Sequence, residues 1–320
     1  MTCVIGTDEA GYGPNLGPLV IAATVWRVPA AQPVSSLPAQ LASVHVDSGR
    51  AADPIIGDSK QLYRPGGGLS LLERGVLAAL ALLDGPAQDR RTWRALLARL
   101  DPARVAALAS MPWHASYDCD LPAAATDQAI AAAQACCARA LDAAGIALID
   151  LRARVVFPAE YNAQVAACGS KGTALSLWTL ELVRELLSDV NDPMVVIQCD
   201  KHGGRNRYGA LLQHVFAPAW VDVCEESREQ SVYRWGPPAA RIEARFAAQG
   251  ERFLPTALAS MAAKYLRELA MQAFNAYWVS RLPGLQPTAG YPTDARRFHA
   301  AIRPLQQQLN IPDTLIWRTR

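Results

Sequence analysis

The residues with the clearest chemical potential stand near the N-terminus. Asp8 and Glu9 are adjacent at the end of an apolar run and are followed by Ala10-Gly11-Tyr12-Gly13-Pro14. Two neighbouring carboxylates repel one another, so a cation or a basic partner is what normally stabilises them at close range. The glycines beyond them lack the Cβ that would keep a ligand's backbone at a distance. A surface turn with two solvated acids fits the same residues, and the pair alone does not choose between these readings. A third acid, Asp200, ends the apolar run Val195-Val196-Ile197-Gln198-Cys199 and is followed by Lys201-His202-Gly203-Gly204-Arg205-Asn206-Arg207. A buried strand that ends in an acid and a basic, glycine-bearing loop is where an α/β sheet tends to take a phosphorylated ligand. An ordinary strand-end turn is the alternative. Ser170-Lys171-Gly172 precedes a helical stretch and could hold a phosphate at that helix's N-terminus.

The elements that must position these groups can be read from periodicity. CVIGTDEAGYGPNLGPLVIAATVWRV reads as strand, turn, strand, its two apolar runs separated by a glycine- and proline-bearing segment. Residues 28–68 are loop-rich, with Pro29, Pro33, Pro38 and Pro54 and then Gly66–Gly68. Residues 69–144 turn alanine- and leucine-rich with helical spacing and read as a helical insertion or covering layer. Asp101-Pro102 looks like an N-cap with proline at the first helical position, opening DPARVAALAS. Gly145 ends the helix through AIAAAQACCARALDAA. A strand at 146–157, a helix at 173–187, a buried strand at 194–199, a helix at 208–216 and a two-stranded stretch at 231–252 follow. A long helix over 256–282 carries Leu266, Leu269, Ala273, Phe274 and Tyr277 on one stripe. Strands first, then alternating helix and strand, imply a mixed sheet with helices on its faces.

Composition sets broad limits. The 320 residues are 51% hydrophobic and 19% charged, enough for a real core. A formal net charge of +2 is compatible with a nucleic-acid partner without arguing for one. The opening apolar run is too short for a secretory core, and the longest apolar stretch is broken by Glu73 and Arg74. The seven cysteines form no C-x-x-C and the five histidines no H-E-x-x-H. These features lead to the expectation of a reduced, cytoplasmic protein without a membrane span, its cysteines used for packing.

GTDEAGYGPNLGPLVIAA resembles the opening of ribonuclease HII, where an acidic pair is followed by A-G-R-G-P and a second G-P leading into strand two. Four more segments match that family in order. Gly57-Asp58-Ser59-Lys60-Gln61-Leu62 resembles its D-S-K-x-L. Asp200 stands where the family has its third carboxylate. Ala259-Ser260-Met261-Ala262-Ala263-Lys264-Tyr265-Leu266-Arg267-Glu268 resembles its A-S-I-x-A-K-V-x-R-D helix. Gly290-Tyr291-Pro292-Thr293 resembles the motif that follows. The resemblance runs from Thr7 to Thr293, with 69–144 longer than the family needs.

The resemblance implies an α/β, ribonuclease H-like fold: a mixed five-stranded sheet flanked by helices, a single domain over 1–320 with a helical insertion at 69–144. It implies a catalytic, metal-binding set of Asp8, Glu9, Asp200 and Glu268 holding Mg²⁺ or Mn²⁺, because hard divalent cations prefer oxygen ligands. Gly11, Tyr12, Gly13, Ser59, Lys60 and Tyr291 would bind substrate. The implied activity is a two-metal-ion endonuclease cutting the RNA strand of RNA–DNA hybrids, or ribonucleotides embedded in duplex DNA, with 5′-phosphate and 3′-hydroxyl products. Two positions depart from the family. Glu268 replaces aspartate, adding a methylene, and sits four residues from Lys264, the spacing of a plain helical ion pair; Glu225, Glu226 and Glu229 are the substitutes to test. Tyr12 replaces a basic residue and cannot pair with phosphate as arginine does. Two alternatives therefore stand: a noncatalytic nucleic-acid-binding protein, or a nuclease for structured DNA. The terminal Arg318-Thr319-Arg320 reads as a solvated basic tail that could add nonspecific attraction.

Overall fold

The computed structural model describes residues 1–46, 54–63, 68–83 and 85–319; Gly66, Gly67 and Arg320 lie outside them. The main sheet is built from β1 (Thr2–Ala10), β2 (Leu19–Val28), β3 (Ala147–Val156), β4 (Met194–Asp200), β5 (Asp222–Glu226), β6 (Gln230–Trp235) and β7 (Arg241–Ala247). Their order across the sheet is β3-β2-β1-β4-β7-β6-β5. β1 runs antiparallel to β2 and parallel to β4, and β4 runs parallel to β7. The sheet is thus mixed, as expected, but has seven strands rather than five. The expected two-stranded stretch is β6 and β7, and beyond it lies β5, which the sequence reading missed. Every residue of β5 is exposed, so it lacks the alternation of apolar and polar residues by which a half-buried strand is recognised.

The helices are α1 (Ser70–Leu80), α2 (Trp93–Leu100), α3 (Asp127–Ala144), α4 (Pro158–Cys168), α5 (Lys171–Leu187), α6 (Gly209–Val215), α7 (Leu254–Val279) and α8 (Pro292–Gln308), with shorter turns between. Strand alternation sends neighbouring side chains to opposite cores. Val4, Val20, Ala22 and Trp26 pack with α1, α2, α3 and α7 on one face. Ile5, Ile21, Val25, Val195 and Ile197 pack with α4, α5 and α6 on the other. Residues 69–144 therefore contribute their apolar side chains to the same core as α7 and β1.

Thr126 caps α3 by accepting from Ala129 N at 3.1 Å, and Gly145 closes it with φ 64°, the left-handed conformation glycine adopts cheaply. The expected helix after Asp101 is instead two 3₁₀ turns, Pro102–Arg104 and Ala106–Ser110. The Asp101 side chain does not cap them. It accepts from Val155 N at 2.7 Å, which draws the carboxylate to the edge of β3. Gly6 marks the closest approach of α7 to the sheet: a Cβ there would stand 2.2 Å from the Pro255 carbonyl carbon. That contact sets the N-terminal end of α7 against the middle of β1. Among the described residues no helix is long and apolar enough to cross a membrane, and all seven cysteines are free.

Candidate active site

Asp8 and Glu9 close β1, and Asp200 closes the parallel neighbour β4, where Thr7 pairs with Cys199. Parallel pairing in this register brings the three acids to the same end of the sheet. They line one pocket of about 390 Å³ with Gly11, Ser59, Lys60, Tyr63, Ser260, Lys264, Arg267, Glu268 and Tyr291. Segments far apart in sequence thus meet there: the β1 end, the turn after Gly57, the β4 end, the middle of α7 and the turn before α8.

Each acid is held differently. Asp8 is buried, and its Oδ1 accepts from Glu9 N at 2.8 Å. Asp200 Oδ1 accepts from Gly250 N at 3.0 Å, and a Cβ on Gly250 would crowd the Asp200 Cα at 3.1 Å. Glu9 is partly open to the pocket. Burial, and then the charges of Asp8 and Asp200, hold its carboxyl well above the usual carboxylate range, with Lys60 opposing them. Glu268 lies apart from this crowding. It accepts from Lys264 Nζ at 2.6 Å and Tyr63 OH at 2.9 Å, with Arg267 Nη1 at 3.5 Å. The Lys264–Glu268 pair is real, yet it faces the pocket rather than open solvent.

The substrate-binding expectations divide. Ser59 is buried and its hydroxyl meets that of Ser260 on α7 at 2.9 Å, while Asp58 caps the short helix Ser59–Leu62 by accepting from Lys60 N at 2.8 Å. Tyr291 is 51% exposed, so it is no core cover; a Cβ on Gly13 would lie 3.9 Å from its ring. Tyr12 does not line the carboxylate pocket. Lys171 Nζ lies 4.5 Å from its ring centroid, and its hydroxyl would stand 2.7 Å from a Cβ on Gly203. Glu225 and Glu226 lie on the outer strand β5, where Glu225 accepts from Gln230 and Glu226 from Tyr233. Neither they nor Glu229 line the pocket.

Three contributors escaped the sequence reading. Tyr63 directly follows the GDSKQL segment, and that adjacency is the signal that could have found it. Arg267 is buried, donates to the carbonyls of Leu16 at 3.3 Å and Ala289 at 3.0 Å, and packs under Gly11. Arg318, expected in a solvated tail, is 1% exposed. It donates to the carbonyls of Gly11 and Pro14 and lies over the Tyr161 ring at 4.7 Å. Burial, with Arg267 adding to it, brings the Arg318 guanidinium down to about 9. Two buried arginines thus pin the glycine-rich loop, a contact that no local pattern near residue 318 announces.

No protein-family model matches the sequence, and no curated relative is found for it. Solved structures similar to this chain include ribonuclease H2 from Pyrococcus horikoshii OT3, at 14% identity and TM-score 0.48, covering 98% of this chain and 92% of that one. The ribonuclease HII of the PCNA complex from Archaeoglobus fulgidus matches at 15% identity and TM-score 0.41, covering 99% and 94%. Bst-RNase HIII in complex with Mn²⁺ matches at 12% and 0.41, covering 99% and 66%.

The donor set of the pocket can be tested for a cation on its own chemistry. Among the described residues no three His, Cys, Asp or Glu side chains stand as a ready-made metal group. The oxygens of Asp8, Glu9 and Asp200 are nevertheless the ligand type a hard divalent cation takes, and the raised Glu9 carboxyl registers the charge crowding that a cation would relieve. In chemical type and charge, then, these residues fit. Glu268 is the poorer candidate, since Lys264 and Tyr63 already satisfy it.

Proposed function

We propose that this chain is a metal-dependent endonuclease of the ribonuclease H-like type, acting on duplex nucleic acid that contains ribonucleotides. One observation carries the reading. The five segments whose order resembles ribonuclease HII, separated by up to 283 residues from Asp8 to Tyr291, contribute side chains to a single pocket. Chance matches scattered along a chain would have no reason to converge. We also read 69–144 as a helical insertion within one domain spanning 1–320, since its apolar side chains share the core of β1 and α7.

In this reading Asp8, Glu9 and Asp200 would hold Mg²⁺ or Mn²⁺, which when bound offsets the negative charge that phosphoryl transfer adds to a polyanion. Glu9 and Asp8, one residue apart, hold the acidic end of β1 against the substrate. Lys60 brings a point charge to a phosphate. Tyr291 offers an exposed ring to a sugar, and Gly11 and Gly13 leave room for the strand. Lys264 and Tyr63 fix Glu268 on the far wall.

The test is cleavage of three labelled duplexes: an RNA–DNA hybrid, DNA with one ribonucleotide, and all-DNA. Each is run with Mg²⁺, Mn²⁺ or chelator, beside Asp8→Asn. Metal-dependent cutting at ribonucleotides, abolished in the folded variant, is expected; full activity of Asp8→Asn would sink the reading. A second reading, a nuclease for structured DNA, is favoured by Tyr12, which turns toward Lys171 and lies outside the pocket. Equal cutting of the all-DNA duplex would establish it.

A further inference from the structure

Beyond the carboxylate pocket, the loop after Asp200 frames a second, open cleft lined by Gly172, Gly203, Gly204, Arg205 and Arg207. The two sites adjoin through single steps of the chain. Gly11 lines the first pocket, and Tyr12, next to it, packs against Gly172 and Gly203 of the second. Asp200 lines the first and His202 the second, two residues that span at most about 7 Å of chain.

The charges around the cleft are one-sided. Lys171, next in sequence to the cleft-lining Gly172, lies over the Tyr12 ring at 4.5 Å and forms no ion pair among the described residues. Arg205 donates through Nη2 to Thr173 Oγ1 at 2.9 Å, and among the described residues it has no carboxylate partner and its buried Nε has no acceptor. Arg207 is 88% exposed, with Glu226 at 3.7 Å. His202 is buried, and its Nδ1 meets Ser176 Oγ at 3.0 Å. Among the described residues no acid lines the cleft. The side-chain-free surfaces of Gly172, Gly203 and Gly204 let an anion approach the backbone closely.

We propose that this cleft, through Lys171 and Arg205, receives a backbone phosphate of the strand whose neighbouring phosphodiester occupies the carboxylate pocket. The assignment rests on the nuclease reading above and adds to it a second point of attachment on the far side of Tyr12. Tyr12 is then the spacer between the two phosphates, its ring face taken by Lys171. Contacts to phosphate fix register and carry no base specificity.

The test uses the full chain in chelator, with a labelled RNA–DNA hybrid and an all-DNA duplex of equal length, read by anisotropy between 50 and 200 mM salt as the order of concentrations over which phosphate contacts are resolved. Lys171→Ala and Arg205→Ala are each expected to weaken binding of both duplexes alike and to flatten the plot of log affinity against log salt by about 1, the double variant by about 2. Lys171→Arg should keep the parent slope, and Arg281→Ala, at an exposed position just past the C-terminal end of α7, should change nothing. With metal, KM should rise in the double variant while kcat stays. A folded double variant with the parent's affinity and slope overturns the cleft while leaving the nuclease reading intact. A parent that neither binds nor cuts either duplex overturns both. Lys171-dependent binding of inorganic phosphate, with duplex binding unchanged, would assign the cleft to a free phosphate and likewise overturn the strand proposal.

Discussion

Glu73 and Glu9 are both drawn in from solvent, one fully and one in part, and they are treated in opposite ways. Glu73, on α1, is fully buried and accepts from Ala123 N at 2.7 Å, Ala124 N at 2.6 Å, Ala125 N at 2.7 Å and Tyr265 OH at 2.6 Å. Its negative charge is spread over four donors, and it ties the approach to α3 onto α7. The Glu9 carboxyl is pushed up first by burial and then by the charges of Asp8 and Asp200. Burial is common to both, so burial does not mark function. The type of neighbour does: neutral donors build a fixed joint, whereas like charges leave a demand that an added cation can meet. Asp101 stands between them, with one backbone donor, Val155 N, and a distant Arg104 at 3.8 Å.

Breaking each joint should separate these roles. The largest effect is expected for Glu9→Gln, which should lower cleavage by about 10⁴-fold, or 5 to 6 kcal/mol in the barrier. Its thermal midpoint should hold or rise, because the amide removes like-charge repulsion; a midpoint that drops along with activity would make Glu9 a structural residue. Glu73→Leu should do the reverse. It removes the acceptor of three backbone N–H groups and of the buried Tyr265 hydroxyl and should cost roughly 3–5 kcal/mol in denaturant unfolding, while cleavage per folded molecule stays near the parent's. If Glu73→Leu unfolds at the parent's midpoint, the joint is not the stabilising feature described here.

Asp101 tests the intermediate case through pH. Burial, more than any other cause, raises its carboxyl from 3.8 to about 6 in the folded chain. The native state then binds the proton more tightly than the unfolded one, so stability falls as pH rises through about 4 to 6 and levels off above. The fall is at most about 3 kcal/mol. Asp101→Asn keeps an acceptor for Val155 N and should flatten that part of the stability curve; an unchanged curve would show that other groups set it. Last, Mg²⁺ or Mn²⁺ at about 100 times its dissociation constant should stabilise the parent by about 2.7 kcal/mol. That increment should vanish in Glu9→Gln and persist in Asp101→Asn, and calorimetry with and without chelator reads it directly.

Much of the site was legible because its residues announce themselves locally. Asp8-Glu9 and Asp200 end apolar runs, Ser59-Lys60 sits in a short recognisable segment, and Glu268 and Tyr291 lie in and after a long periodic helix. Those features are written in neighbouring residues, so a linear reading finds them. What it missed depended on contacts between distant parts. β5 has no buried face, and its place in the sheet comes from pairing with β6 alone. Asp101 and Pro102 carry a good local start signal for a helix, yet the carboxylate is taken by Val155 N, 54 residues away.

The sequence by itself determined the sheet's first hairpin, the long helix α7, the glycine that ends α3 and the three acids that end apolar runs, since periodicity, caps and residue chemistry are local properties. Only the tertiary structure decided how those acids differ. Parallel pairing of β1 with β4 crowds Asp8, Glu9 and Asp200 together, while the crossing of α7 gives Glu268 to Lys264 and Tyr63. It also decided that Arg318 is a buried clamp on Gly11 and Pro14 rather than a solvated tail, because a charge's role is set by what surrounds it in space.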